Sequence, residues 1–392
     1  MRQPPDVLIV ARSGRALAQA ARAAGHLPLV VDLFGDVDTH ALAHSVAQVA
    51  ATVDGHFVAD ALLATLNRIF AQYGRLPLVC GSGFEQAPAL LATIAGRYAI
   101  GNSLATAYTR LLDPPALWRR LQGRGLNIPT TQWRRPVRSA GWLAKRAGAS
   151  GGAHVRALAG PVPVGDYVQR RISGRSVSAL LLSNGRQTRL CGIAEHLCWH
   201  PAADHWRYEG ARSLVPIPRA VAAAARAAGH AVAAELKLRG GFGLDFILRA
   251  DGALMLVDIN PRLPATLDLY PDRGPIFASH LRACATRKLL YSSSRCDSCH
   301  GHLLLYTEGP WEVPATLRWP AGVADRPRAG TILACGEPLC TLLAIDTTPT
   351  AVAAQLAAGY RRLRRSLGGA ADTVLPAAIT IRSRGGIHHV AA

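Results

Sequence analysis

The first hundred residues alternate short apolar runs with segments of helical spacing. The pattern predicts strands at 7–11, 29–31, 76–80 and 98–100 and helices at 15–24, 59–73 and 84–95. Strand, helix and strand in succession are typical of parallel pairs joined by right-handed crossovers. We therefore expect an N-terminal α/β domain over residues 1–104.

Segments rich in β-forming residues dominate the next part of the chain. A helical pattern at 105–124 precedes predicted strands at 142–146, 154–158, 166–172, 176–183 and 188–193, and a helix at 221–238 that ends at Gly240-Gly241. Beyond residue 321, short strands alternate with turns before an amphipathic helix at 352–367. These changes of pattern predict a central domain at 105–290 and a small C-terminal module at 291–392.

Asp251-Gly252 lies between two β-rich runs and predicts a two-residue hairpin turn. Pairing about such a turn sets these residues opposite one another: Phe246 and Val257, Leu248 and Met255, Asp245 and Asp258. Asn260 then shares a face with Asp258. Two facing carboxylates repel, so a cation is expected between them, and Mg²⁺ prefers such oxygen donors. The alternatives are a neutral Asp or a slipped register, which would turn Phe246 to the wrong face.

Lys145 precedes a loop that contains Gly148, Ser150, Gly151 and Gly152. Such a loop between strands can turn successive backbone N–H groups toward an anion, and the Lys can neutralise a phosphate oxygen. It is not a Walker A loop, because no Gly-Lys-Ser/Thr opens a helix. Alone it favours an ordinary flexible hairpin. Together with the acidic hairpin it predicts a magnesium–nucleotide site between two β-rich layers.

Composition narrows the functional classes. The 44 basic against 25 acidic residues give a net charge of +19, but three of the basic residues are Lys and the Arg are scattered, which argues against a nucleic-acid interface. The Ala-rich run at 221–238 is interrupted by charged residues, so no membrane span is expected. The apolar run at 7–11 is too short for a secretory signal. We expect a cytoplasmic protein.

Two further motifs have weak alternatives. Arg12-Ser13-Gly14-Arg15 lacks the repeated glycines of a dinucleotide-binding turn, so NAD is not expected there. Cys296-Asp-Ser-Cys299-His300 has the spacing of a haem attachment, or could share zinc with Cys335 and Cys340. Free thiols are the expectation for a reducing compartment.

The order of the motifs resembles the ATP-grasp superfamily. The motifs are the glycine-rich loop with Lys145, Tyr167-Val-Gln169-Arg-Arg-Ile172, Gly243-Leu-Asp245-Phe and Asp258-Ile-Asn260-Pro-Arg262. The N-terminal unit with Gly81-Ser-Gly-Phe-Glu85 resembles the α/β domain that precedes the grasp fold in carboxylate–amine ligases. The resemblance implies a Rossmann-like pre-ATP-grasp domain, a two-lobed ATP-grasp fold and a small C-terminal module, thus an α/β and α+β protein.

The resemblance also implies roles for single residues. Lys145 and the loop to Gly152 would cover the ATP phosphates, and Gln169, Arg170 and Ile172 would meet adenine. The metal, Mg²⁺ or alternatively Mn²⁺, would be held by Asp245, Asp258 and Asn260, and Arg262 would stabilise the transferred phosphoryl group. Gly81, Ser82 and Glu85 would contact substrate, although Glu85 has an equal interpretation as a helix cap. No general base is identified; His154, His196 and Glu195 are candidates by type only.

The implied activity is the conversion of a carboxylate to an acyl phosphate, which an amine then attacks. The overall likeness is to the ligase group that includes tyramine glutamate ligase, whose relatives accompany tetrahydromethanopterin or methanofuran-type one-carbon cofactor pathways. Small-molecule substrates are expected, and a homodimer is left open. Two departures from the family are Asp258 in place of Glu and the lack of an early Lys near Asp113. A bicarbonate-activating carboxylating enzyme and a nucleotide-binding regulator without turnover are the alternatives.

Overall fold

A parallel sheet flanked by helices forms the N-terminal part of the protein. The computed structural model describes residues 3–52, 55–98, 104–199, 206–292 and 297–384. The elements of this part are β1 (Val7–Val10), α1 (Arg15–Ala23), β2 (Pro28–Asp32), α2 (Val37–Leu42), β3 (Ser45–Gln48), α3 (Ala59–Tyr73), β4 (Leu78–Cys80) and α4 (Pro88–Arg97). The strand order is β3-β2-β1-β4 with parallel pairing. The buried apolar strands β1 and β2 confirm the predicted α/β unit.

A small antiparallel sheet and two helices follow. They are α5 (Leu104–Leu111), α6 (Pro114–Gln122), β5 (Thr131–Gln132), β6 (Trp142–Arg146), β7 (Arg156–Ala157) and β8 (Asp166–Arg170). The strand order is β5-β8-β6-β7. This sheet is the smaller lobe of the fold, and the glycine-rich loop joins β6 to β7.

The larger lobe is an antiparallel sheet covered by helices. Its elements up to residue 286 are β9 (Arg175–Asn184), β10 (Thr188–Cys198), β11 (Gly210–Ser213), α7 (Arg219–Leu236), β12 (Arg239–Leu248), β13 (Leu254–Asn260) and α8 (Arg273–Thr286). Phe242, Leu244 and Phe246 of β12 are buried in the core that α7 covers. Their alternation with the residues between them fixes which face of β12 lies toward the cleft.

The C-terminal part extends the same sheet. Its elements are β14 (Cys299–Tyr306), β15 (Trp311–Glu312), β16 (Val323–Ala324), β17 (Ile332–Leu333), β18 (Pro338–Asp346), α9 (Pro349–Leu367), α10 (Ala371–Val374) and β19 (Arg382–Ser383). Across the described ranges the strand order is β13-β12-β9-β10-β11-β14-β18-β16, with β19 paired to β10. Because β14 pairs with β11, the sheet continues across residue 290. The fold is mixed α/β with the two lobes of an ATP-grasp architecture.

Several predicted elements have different bounds. The helix expected at 105–124 is broken in two, because Pro114-Pro115 starts α6 and the Asp113 side chain accepts the Ala116 N–H at 3.3 Å. The helix expected from residue 84 begins only at Pro88. The strand expected at 98–100 lies mostly outside the described residues, and Tyr98 itself is not in a strand.

The end of α7 also differs from the expectation. The helix ends at Leu236, with Lys237 in the left-handed conformation at φ 56°. Gly240 and Gly241 belong instead to β12, where a Cβ on Gly240 would lie 2.6 Å from His280 Nδ1. These glycines therefore permit α8 to pack closely on the sheet rather than terminate the helix. In the ranges described, no helix has the length and apolar character to cross a bilayer.

A buried arginine joins the three parts of the chain. Arg15 of α1 forms two hydrogen bonds with Asp268, at 2.7 and 2.6 Å, and two with Asp325, at 3.0 and 2.8 Å. Burial opposes the charge of Asp325, but Arg15 outweighs it and lowers the pKa of that carboxyl. The N-terminal sheet is therefore fixed to both later parts by one guanidinium group.

Replacing this guanidinium should destabilise the whole protein. Arg15→Gln would leave Asp325 without its cation and Asp268 with Arg273 at 3.9 Å, so we expect the free energy of unfolding to fall by about 3–5 kcal/mol. Arg22→Gln is the matched control, because Arg22 is exposed on the same helix, and its effect should stay within about 0.5 kcal/mol. Urea unfolding measures both variants, and equal midpoints would contradict the structural role of Arg15.

Candidate active site

As predicted, Asp245 lies opposite Asp258 in the acidic hairpin, but the turn and the register near it differ from the prediction. The turn has three residues rather than two, since the Arg249 N–H bonds the Ala253 carbonyl and Gly252 takes φ +83°. The pairs nearest the turn are therefore shifted by one from the expectation: Phe246 with Leu256, Ile247 with Met255 and Leu248 with Leu254. A β-bulge at Val257 then restores the predicted pairing at the acids.

The two facing carboxylates lie in a polar row across the sheet. Asp245 accepts hydrogen bonds from the Ser178 hydroxyl and, at 3.1 Å, from Asn260 Nδ2. Asp258 accepts the Ile259 N–H at 2.9 Å. Burial and the charge of Asp245 raise the pKa of Asp258 to about 7, and Lys145 only partly offsets this rise. The site therefore holds more negative charge than its own residues neutralise, which fits a divalent cation.

Lys145 links the two lobes at this site. Its Nζ donates to Gln169 Oε1 at 2.7 Å and to the Val257 carbonyl at 3.2 Å. The carbonyl is available because the bulge turns Val257 out of the regular ladder. Burial lowers the pKa of Lys145, while Asp258 and Asp245 act against that effect. An ammonium group thus lies between the smaller lobe and the acidic hairpin.

The glycine-rich loop closes against the larger lobe. Gly148, Gly151 and Gly152 all have positive φ, and the Gly151 carbonyl accepts the Tyr208 N–H at 2.8 Å. A Cβ on Gly152 would lie 2.0 Å from the Trp206 carbonyl oxygen, and one on Gly148 would lie 2.9 Å from that of Glu85. Ser150 is half-buried and lines the cleft. Only glycine permits these close approaches of the loop.

The predicted adenine linker is divided between the two faces of β8. Gln169 is buried toward Lys145 and donates to Thr131 Oγ1 at 3.2 Å. Arg170 is exposed, with its guanidinium carbon 5.8 Å from the Trp142 ring centroid. Ile172 is half-buried and lines the cleft just after the strand. Alternation along the strand therefore directs the Arg170 side chain away from Gln169.

Arg262 and Glu85 form a buried ion pair. Arg262 Nε donates to Glu85 Oε1 at 2.9 Å, and Glu85 Oε2 accepts the Gly83 N–H at 2.7 Å. Burial alone would raise the pKa of Glu85, but Arg262 and this N–H lower it below its usual range. Glu85 precedes α4 by three positions and does not cap it. The pair joins the N-terminal part to the acidic hairpin.

Gly81 and Ser82 support the same junction. A Cβ on Gly81 would lie 2.6 Å from that of Ala11, and the Ser82 carbonyl accepts the Arg12 N–H at 2.7 Å. These contacts hold the ends of β1 and β4 together. Both residues also line the cleft.

The predicted site residues border one cleft of about 1790 Å³, which lies between the two lobes and the N-terminal part. Sequence reasoning missed other polar groups in it. Tyr208 hydroxyl lies 2.6 Å from His302 Nε2, and the rings of Tyr208 and His196 meet edge to face at 5.4 Å. In the described residues, His302 Nδ1 and Thr266 Oγ1 are buried without a hydrogen-bond partner. No local motif marks these residues, because separate strands bring them together.

The three candidate general bases, Glu195, His196 and His154, lie in different surroundings. Glu195 is bound by Arg212 at 2.8 Å and Arg175 at 3.3 Å, which indicates a structural role. His196 Nδ1 lies 3.0 Å from the Ser176 hydroxyl, and its Nε2 lies 3.9 Å from Asp245. Burial, with Lys145, lowers the pKa of His154 to about 4. His154 is therefore neutral near pH 7.

The cysteine motif is only partly described by the structure. Cys296 lies outside the described residues, and Cys299 Sγ donates to the Ser213 carbonyl at 3.4 Å. Cys299 pairs with Asp346, whereas Cys340 pairs with Leu305 far along the same two strands. Among the residues that are described, no group of three or more His, Cys, Asp or Glu side chains could hold a metal ion.

Sequence comparison now gives the central region a family. Residues 114–266 match the family described as an ATP-grasp domain. The match covers less than half of the chain and assigns an ATP-grasp domain to that segment alone. The match begins at α6 and includes the glycine-rich loop, the predicted linker and the acidic hairpin. None of the curated proteins compared with the chain matches it in sequence.

Solved structures share this ATP-grasp fold over nearly the whole chain. Pyruvate carboxylase of Rhizobium etli matches 97% of the chain with a TM-score of 0.66 and 12% identity, and the chain spans 40% of its length. L-amino acid ligase of Bacillus licheniformis matches 97% of the chain and 99% of its own, with a TM-score of 0.65 and 12% identity. The biotin carboxylase domain of Hydrogenobacter thermophilus 2-oxoglutarate carboxylase, in complex with MgADP, ADP and bicarbonate, matches 97% and 92% (TM-score 0.63, 10% identity). At these identities the likeness shows the fold.

The close approach at Gly152 gives a direct test of the loop. Gly152→Ala and Gly160→Ala both place Ala at positive φ, which costs each about 1–2 kcal/mol, but a Cβ on Gly160 has open space. In Gly152→Ala, the clash with Trp206 should displace the glycine-rich loop and weaken ADP binding by at least about tenfold. Calorimetric titration with ADP compares the two. Equal affinities would show that the packing of the loop does not support nucleotide binding.

Proposed function

We propose that the protein is a Mg-ATP-dependent ligase that activates a carboxylate as an acyl phosphate for attack by an amine. The observation that carries this proposal is the pair Asp245 and Asp258, which face one another beside Lys145 and below a glycine-rich loop. The two carboxylates, the Lys145 ammonium group and the glycines of the loop all line the wall of one cleft. A nucleotide triphosphate with its cation is the ligand that uses all three.

The donor set fits a magnesium ion. Asp245, Asp258 and Asn260 supply two carboxylates and an amide oxygen, and burial together with the charge of Asp245 raises the pKa of Asp258. When bound, Mg²⁺ or Mn²⁺ would neutralise phosphate oxygens of the nucleotide. The bulge sets the Cα of Asp258 beside that of Asp245.

The protein's own residues would align and neutralise the reacting groups. Lys145 would neutralise a phosphate oxygen from the side of the smaller lobe, and the loop from Gly148 to Gly152 would cover the phosphates with backbone N–H groups. Arg262 would stabilise the transferred phosphoryl group while Glu85 fixes its orientation. Transfer to the substrate carboxylate needs such alignment more than a general base.

Substrate classes are assigned here by analogy. The L-amino acid ligase structure aligns over 97% of this chain and 99% of its own chain, which supports a carboxylate and an amine as substrates. The carboxylase domain that holds bicarbonate with MgADP supports bicarbonate as the second candidate acceptor. The one-carbon cofactor pathway rests on the overall resemblance alone. We also propose a division at residues 1–104, 105–290 and 291–392, the last two parts sharing one sheet.

Release of ADP tests the proposal. Asp258→Asn should lower amine-dependent ADP release at least about 100-fold, because one charge of the cation site is lost. Asp251→Asn is the matched control, because Asp251 is exposed in the turn of the same hairpin. Its rate should remain within about twofold of wild type. The assay uses a panel of amino acids and amines with MgATP.

The acceptors decide between the candidates. Stimulation by an amino acid or amine supports the ligase, whereas stimulation by bicarbonate alone supports the carboxylating enzyme. If no acceptor raises ADP release and Asp258→Asn equals wild type, the ligase proposal fails. MgATP binding without turnover would then favour a nucleotide-binding regulator.

A further inference from the structure

Three arginines from distant parts of the chain converge on the cleft. Arg12 follows β1, Arg207 precedes β11, and Arg384 follows β19; all three line the cleft wall. They are separated in sequence by most of the chain, so only the fold brings them together. None of them is assigned a role in the ATP site described above.

The C-terminal strand carries Arg384 into the wall of the cleft. The Arg384 N–H bonds the His196 carbonyl and its carbonyl accepts the Ser176 N–H, both at 2.8 Å. Arg384 Nη2 donates to the Arg207 carbonyl at 2.6 Å. The backbone of Arg384 thus separates β9 from β10 where these two strands would otherwise continue to pair. This placement fixes the guanidinium next to Arg207.

Arg207 and Arg12 complete the group. The Arg207 guanidinium carbon lies 3.5 Å from the Tyr306 ring centroid, and its buried Nε has no hydrogen-bond partner in the described part of the chain. Arg12 packs over Gly55, where a Cβ would lie 2.8 Å from its Nη2. Burial and Glu209 raise the pKa of Tyr306 to about 12, while Arg207, Arg12 and Arg384 act against that rise.

One acid partly balances the three positive charges. Glu209 Oε2 lies 3.9 Å from Arg384 Nη2 and accepts the Trp199 N–H at 2.8 Å. Among the described residues, these three guanidinium groups carry more positive charge than the Glu209 carboxylate neutralises. Arginine side chains with free N–H groups bind carboxylate and phosphate oxygens by paired hydrogen bonds.

We infer that Arg12, Arg207 and Arg384 form a binding site for an anionic oxygen group, a carboxylate or a phosphate, on a substrate of this protein. The assignment of the ligand as a substrate rests on the proposed ligase function. The site itself does not need turnover, because within the described ranges the side-chain contacts of Arg207 and Arg384 are with Gly336, Tyr306, Glu209 and each other, and not with Lys145 or the acidic hairpin. It would fix the acidic end of a substrate whose other end reaches the nucleotide.

Calorimetric titration of the full chain with glutarate and with inorganic phosphate tests the site. We expect one of these anions to bind wild type, and Arg384→Gln, Arg207→Gln and Arg12→Gln each to weaken it about tenfold. Arg384→Lys should retain part of the affinity. Tighter glutarate binding identifies a carboxylate, and tighter phosphate binding identifies a phosphate ester. Glu209→Gln should strengthen binding, an effect that a purely structural role would not produce.

Controls separate this site from the nucleotide site. Arg361→Gln, at an exposed position of α9, should bind the anions as wild type does. Each variant is also titrated with ADP; retained ADP binding shows that it is folded. Failure of wild type to bind either anion, wild-type affinity in all three arginine variants, or loss of binding only in Lys145→Met would overturn the inference. Anion binding without any ADP release would instead count against the ligase function alone.

Discussion

The repulsion between two facing carboxylates is the constraint on which the site depends. Asp245 and Asp258 cannot move apart, because the other face of their strands carries Phe246 and Leu256 into the core beneath α7. Any slip by one residue would expose that apolar face. The acids therefore stay together, and their surroundings supply only part of the positive charge. Lys145 reaches them from the smaller lobe, which makes closure of the two lobes part of the same electrostatic balance.

Local periodicity was enough to predict the facing acids, although the reasoning contained two errors. The turn holds one more residue than expected, and the bulge at Val257 adds one to the opposite strand. The extra turn residue shifts the pairing by one residue at Phe246, and the bulge reverses that shift at Asp245. A bulge has no simple sequence signature, since it follows from the need to bury both Leu256 and Ile259 on one face. The alternating pattern therefore predicted the pairing of the two acids correctly, but not the pairing of the residues nearer the turn.

Contacts between distant segments could not be predicted in this way. The pairing of β11 with β14, the Tyr208–His302 hydrogen bond and the Arg262–Glu85 ion pair all join residues that no motif connects. The break between α5 and α6 was not predicted, although Asp113-Pro114-Pro115 marks it in the sequence, because a residue before proline disfavours the helical conformation. Local stereochemistry can be read from the chain, but convergence on the cleft depends on the order of strands in the sheet.

The ion cluster at Arg15 also bears on how the protein is made. Arg15 lies 253 residues before Asp268 and 310 residues before Asp325. At roughly 5–20 residues per second, a ribosome needs about 15–60 s to extend the nascent polypeptide over the longer interval. Until then the first helix carries a guanidinium whose final partners do not yet exist, and burying it alone would be unfavourable. The N-terminal sheet therefore docks only after Asp268 and Asp325 have been synthesised, and that helix stays hydrated until then.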